Sequence, residues 1–295
     1  MRRNAIAAGV AVLVAGTAVT MLTSSPALAG PFSVMGITTQ VVTATVTAAP
    51  GSDTATAEAF CPQGELLVGG GYVVNSTSTD WRIWVDAPLD DAAWVVEPVN
   101  FSTQPLSFSA YAICAMSVPG KKGISGYTMQ TVQTAVNVPA NQTGEADATC
   151  PAGELRTGGG YEVFNVSANW SIYLNAPVSN DTWTVEIDNE VTNATTITSY
   201  AQCLAKKNSQ PITALTVNTV EKAATVPANS VKTANEHCGP QQVMTGGGHV
   251  IQSIGQDWSI QASAPVFKND WRVQVADLDN FSRVFDALAV CLAKA

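Results

Sequence analysis

The chain has 295 residues and a formal net charge of −9 at pH 7, from 14 basic and 23 acidic side chains. An acidic surface repels the phosphates of nucleic acids, and the basic residues are scattered or lie at segment junctions, so we expect no nucleic acid partner. Only 13% of the residues are charged. With its many Thr, Ser, Asn and Ala residues, this composition favours short, half-exposed strands over long solvated helices, and predicts an all-β fold.

Residues 1–29 have the features of a secretory signal peptide. Arg2 and Arg3 precede an apolar run over residues 5–22, and Ala27-Leu28-Ala29 matches a small-residue cleavage site. Cleavage there removes two arginines and no acidic residue, which changes the net charge from −9 to −11. No later apolar run is long enough to span a bilayer. We therefore expect a secreted, extracellular protein without membrane insertion.

One stretch of the sequence occurs three times, and the rest of the chain aligns with it. The copies begin at Cys61, Cys150 and Cys238, 89 and 88 residues apart, a period typical of tandem structural units. Two sets of Trp residues align across the copies: Trp81, Trp170 and Trp258, then Trp94, Trp183 and Trp271. We predict a short lead-in and three β repeats, arranged as beads on a short string, with these bounds: 30–36, 37–118, 127–205 and 212–295.

The six cysteines predict a disulfide framework. In each repeat 53 residues separate two cysteines, and an exported chain meets an oxidising environment. The simplest pairing places one bridge inside each repeat: Cys61 with Cys114, Cys150 with Cys203, and Cys238 with Cys291. The alternative is a closed ring that joins Cys114 to Cys150, Cys203 to Cys238, and Cys291 to Cys61. The short spacing of zinc ligands is missing, so we expect no metal and no cofactor.

Alternating apolar and polar residues between turns predict five or six antiparallel strands in each repeat, as a sandwich or small barrel. Gly69-Gly70-Gly71 and its copies lie inside such a strand. Glycines in a strand indicate a bulge or close contact with a bulky neighbour, and we expect a Trp ring to lie against them. A phosphate-binding loop is the alternative, but it requires a following helix, and the strand pattern continues instead.

These motifs together resemble those of a group of secreted bacterial repeat proteins. The shared pattern is Cys-Pro-x-Gly, Gly-Gly-Gly-Tyr, a Pro-containing turn, Trp and a terminal Ala-x-Cys, and it covers nearly all of the mature chain. The third repeat departs from the pattern at Cys238-Gly239-Pro240 and at His249, which replaces the Tyr. The resemblance supports the architecture and implies no activity.

Two aromatic residues are the candidate binding groups. The period-two count places Trp84 and Tyr173 on the strand face opposite the buried Trp81 and Trp170, beside the polar residues Arg82, Asp86 and Asn175. Such aromatics can stack on a sugar ring or anchor a protein partner. The alternative is that they cover a second sheet or a joint between repeats. Gln261 occupies the third position, so we expect repeat 3 to lack the feature.

We assign no catalytic residue from the sequence. His237 and His249 are the two histidines of the chain, and His249 aligns with Tyr72 and Tyr161, which indicates a packing position rather than a Ser-His-Asp site. Several Asx residues precede the aligned tryptophans, and we expect them to begin turns rather than to bind calcium or act as paired acids: Asp80, Asp90, Asp91, Asn169, Asp181, Asp257 and Asp270.

The sequence therefore predicts a non-enzymatic binding or assembly protein that contacts cell-surface glycan or another extracellular protein through its repeats. The alternative is a secreted hydrolase with a site between repeats, which would need an acid and a base from different copies. A cleft lined by two carboxylates from two repeats, or by His249 with Ser and Asp, would favour the enzyme.

Overall fold

The structure is a computed structural model that describes residues 32–52, 55–76, 78–164, 169–252, 257–266 and 269–295. The predicted signal peptide at 1–29 lies outside the described residues. The described chain is all-β, as predicted, and each repeat contributes six strands, of which the first and the last have 12 residues. A short 3-10 turn at Gly123–Gly126 lies between the first two repeats.

The strands follow the repeats in sequence. Repeat 1 contains β1 (Ile37–Ala48), β2 (Ala57–Phe60), β3 (Leu66–Asn75), β4 (Trp81–Pro88), β5 (Ala93–Asn100) and β6 (Leu106–Ser117). Repeat 2 contains β7 (Tyr127–Val138), β8 (Gln142–Thr149), β9 (Leu155–Phe164), β10 (Trp170–Pro177), β11 (Thr182–Asn189) and β12 (Thr195–Lys206). Repeat 3 contains β13 (Leu215–Val226), β14 (Ser230–His237), β15 (Val243–Ile251), β16 (Trp258–Val266), β17 (Asp270–Asp277) and β18 (Arg283–Lys294).

These strands form three six-stranded antiparallel sheets, and each sheet takes three strands from each of two repeats. Sheet I has the order β1-β6-β3-β16-β17-β14 and joins repeats 1 and 3. Sheet II has the order β2-β5-β4-β9-β12-β7 and joins repeats 1 and 2. Sheet III has the order β13-β18-β15-β10-β11-β8 and joins repeats 3 and 2. The sheets therefore link the repeats cyclically, around a pseudo-threefold axis.

This topology corrects the expectation of beads on a string. Each repeat is divided between two sheets, and each sheet is completed at its centre by a short antiparallel pairing of strands from different repeats. Val85 and Asp86 pair with Glu162 and Tyr161 in sheet II, and equivalent pairings close sheet I between β3 and β16 and sheet III between β10 and β15. Backbone hydrogen bonds therefore hold the repeats together, so the three tandem units share one continuous framework.

The three disulfides have the pairing predicted within repeats, and the ring alternative is wrong. Cys61 is bonded to Cys114, Cys150 to Cys203, and Cys238 to Cys291. In each repeat the first cysteine follows a strand of one sheet and the second lies in a strand of another, as Cys61 after β2 and Cys114 in β6 show. Each bridge therefore connects two sheets and stabilises the corner between them.

The glycine triplets explain how three strands approach one axis. Strands β3, β9 and β15 contact one another at the centre of the molecule. A methyl group on the first glycine of each triplet would collide with the backbone of the next copy, because Gly69 lies against Gly246, Gly158 against Gly69, and Gly246 against Gly158. A side chain at any of these positions would push the repeats apart.

The second glycine of each triplet confirms the predicted contact with Trp. A methyl group at Gly70 would overlap the indole of Trp94, and the same relationship joins Gly159 to Trp183 and Gly247 to Trp271. These three indoles are at most 1% exposed. The bare strand thus makes room for the largest side chain of the core, and the area buried by each ring offsets the entropy cost of the glycine.

Candidate functional site

The strand that carries the predicted binding residues contains an irregularity that the period-two count did not include. In β4 the register with β5 shifts between Ile83 and Val85, so that Trp84 is an extra residue in a β-bulge. The same shift occurs at Tyr173 in β10 and at Gln261 in β16. Beyond the bulge the alternation of faces is displaced by one residue, which turns the next polar side chains toward the axis.

The predicted residues Asp86 and Asn175 are consequently buried, each 2% exposed, and the expectation that they flank an exposed strand face is wrong. Tyr173 is also buried, and its hydroxyl has no hydrogen-bond partner among the described residues. Burial and the carboxylates of Asp188, Glu186 and Glu190 raise its pKa. Trp84 remains partly exposed and packs both against the main core and against a second apolar cluster formed by Val85, Ala87 and Val95.

Arg82 connects repeats and does not extend into solvent as a free binding group. Its Nε donates to the carbonyl oxygen of Trp170 at 3.1 Å, and its Nη1 donates to the carbonyl oxygens of Thr79 and Trp81. Burial lowers its pKa, against the opposing effect of the carboxylates of Asp80 and Asp257. The guanidinium therefore fixes the start of β4 against β10 of the neighbouring repeat.

Six side chains form what we call the axial polar cluster, two from each repeat: Tyr72, Asp86, Tyr161, Asn175, His249 and Ser263. Each aromatic member pairs across the central strand joint with a smaller member from another repeat, as Tyr161 does with Asp86. The hydroxyl of Tyr161 donates to the carbonyl oxygen of Ile83 at 3.0 Å. The cluster therefore supplies polar contacts between repeats in the middle of an apolar core.

Asp86 is the acidic member of this cluster. Its Oδ1 accepts a 2.7 Å hydrogen bond from the indole nitrogen of Trp94, and its Oδ2 lies 3.5 Å from the amide nitrogen of Asn175. Burial raises its pKa to about 7, against the opposing effect of the Trp94 hydrogen bond. No basic side chain forms an ion pair with it among the described residues. The side chain thus ionises near neutral pH, far above the usual range of a carboxyl.

His249 occupies the packing position that the sequence indicated. Its Nδ1 lies 3.2 Å from Ser263 Oγ, and its Nε2 has no hydrogen-bond partner among the described residues. Burial lowers its pKa to about 3, so the ring is neutral at ordinary pH. No carboxylate accepts a hydrogen bond from either ring nitrogen in the described chain, so His249 lacks the acidic partner of a catalytic triad. His237 is exposed at the end of β14.

Of the loop aspartates, Asp90 begins a turn, as predicted for it. Asp90 Oδ1 accepts hydrogen bonds from the backbone nitrogens of Ala92 and Ala93, both at 2.8 Å. The turn at Asp181 begins instead at Ser179, whose Oγ accepts from the backbone nitrogens of Asp181 and Thr182 and donates to Asp181 Oδ1 at 2.6 Å. Within the described residues no group of three or more His, Cys, Asp or Glu side chains is placed to hold a metal ion.

The strongest candidate for a binding site is a groove of about 520 Å³ on the face of sheet II that is turned away from the axis. We call it the sheet II groove. Its apolar floor consists of Val85, Ala87 and Val95, with the ring of Tyr200 beside them. Repeat 1 provides the floor and repeat 2 provides Tyr200, so the groove exists because the two repeats share a sheet. Its polar lining includes these side chains: Asp90, Asp91, Glu97, Gln130, Thr131, Gln133 and Glu162.

Two glutamates from different repeats flank the floor of the sheet II groove. Val85 pairs with Glu97 on one side and with Glu162 on the other, so the two lie two strand spacings apart, about 10 Å between backbones. Tyr200 donates from its hydroxyl to Glu162 Oε2 at 2.7 Å, and Thr56 Oγ1 donates to Glu97 Oε1 at 2.8 Å. Burial, together with the carboxylates of Glu162 and Glu58, raises the pKa of Glu97 against the opposing Thr56 hydrogen bond.

Sequence reasoning did not find this groove, although one signal for it is present. Glu162 occupies the position of Val73 and Val250 in the other repeats, and Tyr200 the position of Tyr111 and Leu288. A charged residue at a position where the other two repeats carry Val sets repeat 2 apart from them. The sequence gives no indication that Glu162 lies beside Val85, because that contact depends on which repeats pair.

No protein-family model and no curated protein sequence matches this chain. In the described part of the chain, no helix has the length and apolar character needed to cross a membrane.

Proposed function

We propose that this chain is a secreted, non-enzymatic binding protein whose sheet II groove holds a segment of cell-surface glycan. The observation that carries the proposal is the combination in one groove of an apolar floor, the Tyr200 ring, and the hydrogen-bonding side chains of Glu97 and Glu162. Sugars present both apolar C–H faces and many hydroxyls, and aromatic rings beside carboxylate and amide groups match both. The three disulfides are consistent with an extracellular location.

The lining of the groove favours a ligand that donates hydrogen bonds. Carboxylate oxygens only accept, and the side-chain amides of Gln130 and Gln133 add further acceptors as well as donors. No Lys, Arg or His is among the lining residues. Neutral or amine-bearing sugars meet these requirements, whereas an acidic glycan would face several carboxylates with no compensating charge.

The test is a glycan array with the mature chain and two variants that change the groove to the residue types of the other repeats. Glu162→Val and Tyr200→Leu should each weaken binding about tenfold or more, because a lost charge-assisted hydrogen bond or ring contact is worth roughly 1.5 kcal/mol or more. Glu186→Gln is the matched control, since Glu186 holds the position of Glu97 in sheet III. Equal weakening in the control, or full binding by both groove variants, would refute the glycan site. Binding to extracellular proteins instead would show that the groove holds a different ligand.

Hydrolysis of a glycan is the second candidate function, and the Glu97–Glu162 pair is the observation that favours it. Two carboxyls on either side of a bound sugar, one with a raised pKa, match the acid and base of an inverting glycosidase, whose carboxyls lie roughly 6.5 to 9.5 Å apart. Release of reducing sugar by the wild type, abolished in Glu97→Gln with binding retained, would establish the enzyme. Binding without product release supports the binding protein.

A further inference from the structure

The two segments between repeats, far apart in sequence, come together in the fold. The backbone nitrogen of Lys207 donates to the carbonyl oxygen of Gly126 at 3.1 Å, and Lys206 pairs with Tyr127 at the end of the β7–β12 ladder. Lys121 is held nearby, because its Cβ lies close to the backbone of Gly36. The sequence predicts no basic patch, because its basic residues are scattered or lie at segment junctions, whereas the structure brings the lysines of two junctions together.

These segments border a surface cavity of about 550 Å³ that is open to solvent, which we call the junction cavity. Three lysines line it, Lys122, Lys206 and Lys207, together with the apolar residues Met35, Ile37 and Tyr127. Met35 is 53% exposed, so its side chain is accessible to a ligand in the cavity. The cavity therefore combines positive charge at its rim with an apolar wall.

The positive charge of the junction cavity is not compensated by the protein. No carboxylate is among the lining residues, and none of these lysines forms an ion pair within the described chain. The whole chain has 14 basic and 23 acidic side chains, and four of the 14 lie here, Lys121 included. Neighbouring like charges repel one another, and an anion between them removes that repulsion. One ammonium is also fixed, because Lys206 Nζ donates to the carbonyl oxygen of Pro211 at 2.8 Å.

We propose that the junction cavity is a second binding site, distinct from the sheet II groove, that takes the phosphate groups of a flexible phosphodiester-linked chain. Lysine is a common phosphate ligand in proteins, because its ammonium is a compact point charge with three hydrogen-bond donors, and three such groups line the cavity. The Met35 and Tyr127 side chains contact the carbon atoms between successive phosphates. The ligand is therefore an organic polyphosphate ester rather than a bare anion.

The surroundings of the cavity favour a thin chain over a broad anionic surface. Met129 and Gln130, two and three residues beyond Tyr127 on the same strand, already line the acidic sheet II groove. A flat bilayer or a nucleic acid duplex placed on the lysines would also meet Asp90 and Asp91 of that groove, and would be repelled. A single flexible chain can enter the junction cavity without approaching those carboxylates.

The test measures binding of poly(glycerol phosphate) to the mature full-length chain by titration calorimetry. The triple variant Lys122→Gln, Lys206→Gln, Lys207→Gln should weaken binding at least tenfold and reduce the slope of log affinity against log salt by about 2, since each lost contact on a flexible chain removes about 0.7. The control is Lys222→Gln with Lys232→Gln, two exposed lysines on β13 and β14, and it should bind as the wild type does. Equal melting temperatures of the variants confirm that folding is unchanged.

Three further probes decide the form of the ligand. Inorganic phosphate should bind at least tenfold more weakly than the polymer, because it makes no apolar contact and bridges fewer lysines. Vesicles with anionic lipid and duplex DNA should also bind more weakly than the polymer. Tighter binding of vesicles or duplex, equal binding of inorganic phosphate, or unchanged polymer binding by the triple variant would each overturn the proposal.

Discussion

Trp94 and Asp86 are linked at the pseudo-threefold axis by a 2.7 Å hydrogen bond from the indole nitrogen to the carboxylate, and both side chains are almost fully buried. In repeat 2 the same bond runs from Trp183 to the amide oxygen of Asn175, also at 2.7 Å. A charged acceptor and a neutral one thus perform the same structural task in two repeats. The comparison shows that the task does not require the charge.

We therefore expect Asp86→Asn to stabilise the protein at neutral and alkaline pH. The pKa of Asp86 is raised from 3.8 to about 7 in the folded chain, so its contribution to stability is fully present below about pH 4 and is lost as the pH rises through 7. At pH 8 the variant should be more stable by on the order of 4 kcal/mol, with little difference at pH 4. Denaturant unfolding at both pH values measures this, with the exposed Asp91→Asn as control. A variant less stable at pH 8 would contradict the burial of an uncompensated carboxyl.

We expect the buried His249 to destabilise the protein at acid pH, which is the opposite of the pH dependence expected for Asp86. Its pKa is lowered from 6.5 to about 3, so the stability of the neutral ring is fully present above about pH 6.5 and is lost as the pH falls toward 3. His249→Tyr introduces the residue type of Tyr72 and Tyr161. At pH 4.5 the free energy of unfolding of this variant should exceed that of the wild type by about 3 kcal/mol. Melting curves between pH 4 and 7 provide the measurement. The exposed His237→Gln should leave the acid limb of the wild-type profile unchanged, and a matching shift in that control would show that His249 is not the source.

Removal of a core indole should be costly in every repeat. Trp183 is completely buried and lies against Gly159, so Trp183→Ala should destabilise the protein by about 3 to 5 kcal/mol. Gly159→Ala tests the same contact from the other side, because its methyl group would meet the indole and overpacking costs about 1 to 3 kcal/mol. The control is Gly126→Ala, at an exposed turn position where an added Cβ would meet no neighbouring atom. A loss below about 1 kcal/mol in Trp183→Ala would mean that the ring is not part of the core.

An isolated repeat should fail to fold as a monomer. Residues 127–205 contain β9 and β10, whose central partners β4 and β15 belong to the other two repeats. Alone, this segment would expose the buried side chains of Tyr161 and Trp170 and leave strand edges unpaired. Circular dichroism and sedimentation of the oxidised segment should show either an unfolded monomer or an assembly that forms with rising concentration. A sharply melting, concentration-independent monomer would contradict the shared sheets.

The features that sequence predicts here are those whose signal lies within one repeat. The disulfides follow from equal separations of cysteines, and the contact of Trp94 with Gly70 follows from a strand that lacks side chains. The bulge at Trp84 has no such signal, because one extra residue in a strand leaves the composition unchanged. As a result Asp86 and Asn175 were assigned to the wrong face.

Which strands of different repeats pair with each other could not be predicted from the sequence, for a different reason. Glu162 could in principle pair within repeat 2 or with either neighbour, because the three copies of each strand are chemically alike. Its position beside Val85 is decided by how the backbone hydrogen bonds of all three sheets are satisfied together. The sheet II groove depends on that arrangement, so local patterns could identify its residues as unusual but not bring them together.

The cyclic sharing of sheets has a consequence for how such a chain can diverge. Three separate copies of one repeat could close the same ring as a homotrimer, but identical copies would place the same residue at the axis three times. Three aspartates at the positions of Asp86, Asn175 and Ser263 would bring three buried carboxyls together, and three histidines at the position of His249 would crowd the same space. Covalent fusion of the copies removes this constraint. One chain can therefore carry an acid, an amide and a hydroxyl at equivalent positions, and can place Glu162 in sheet II where the other two sheets have Val73 and Val250.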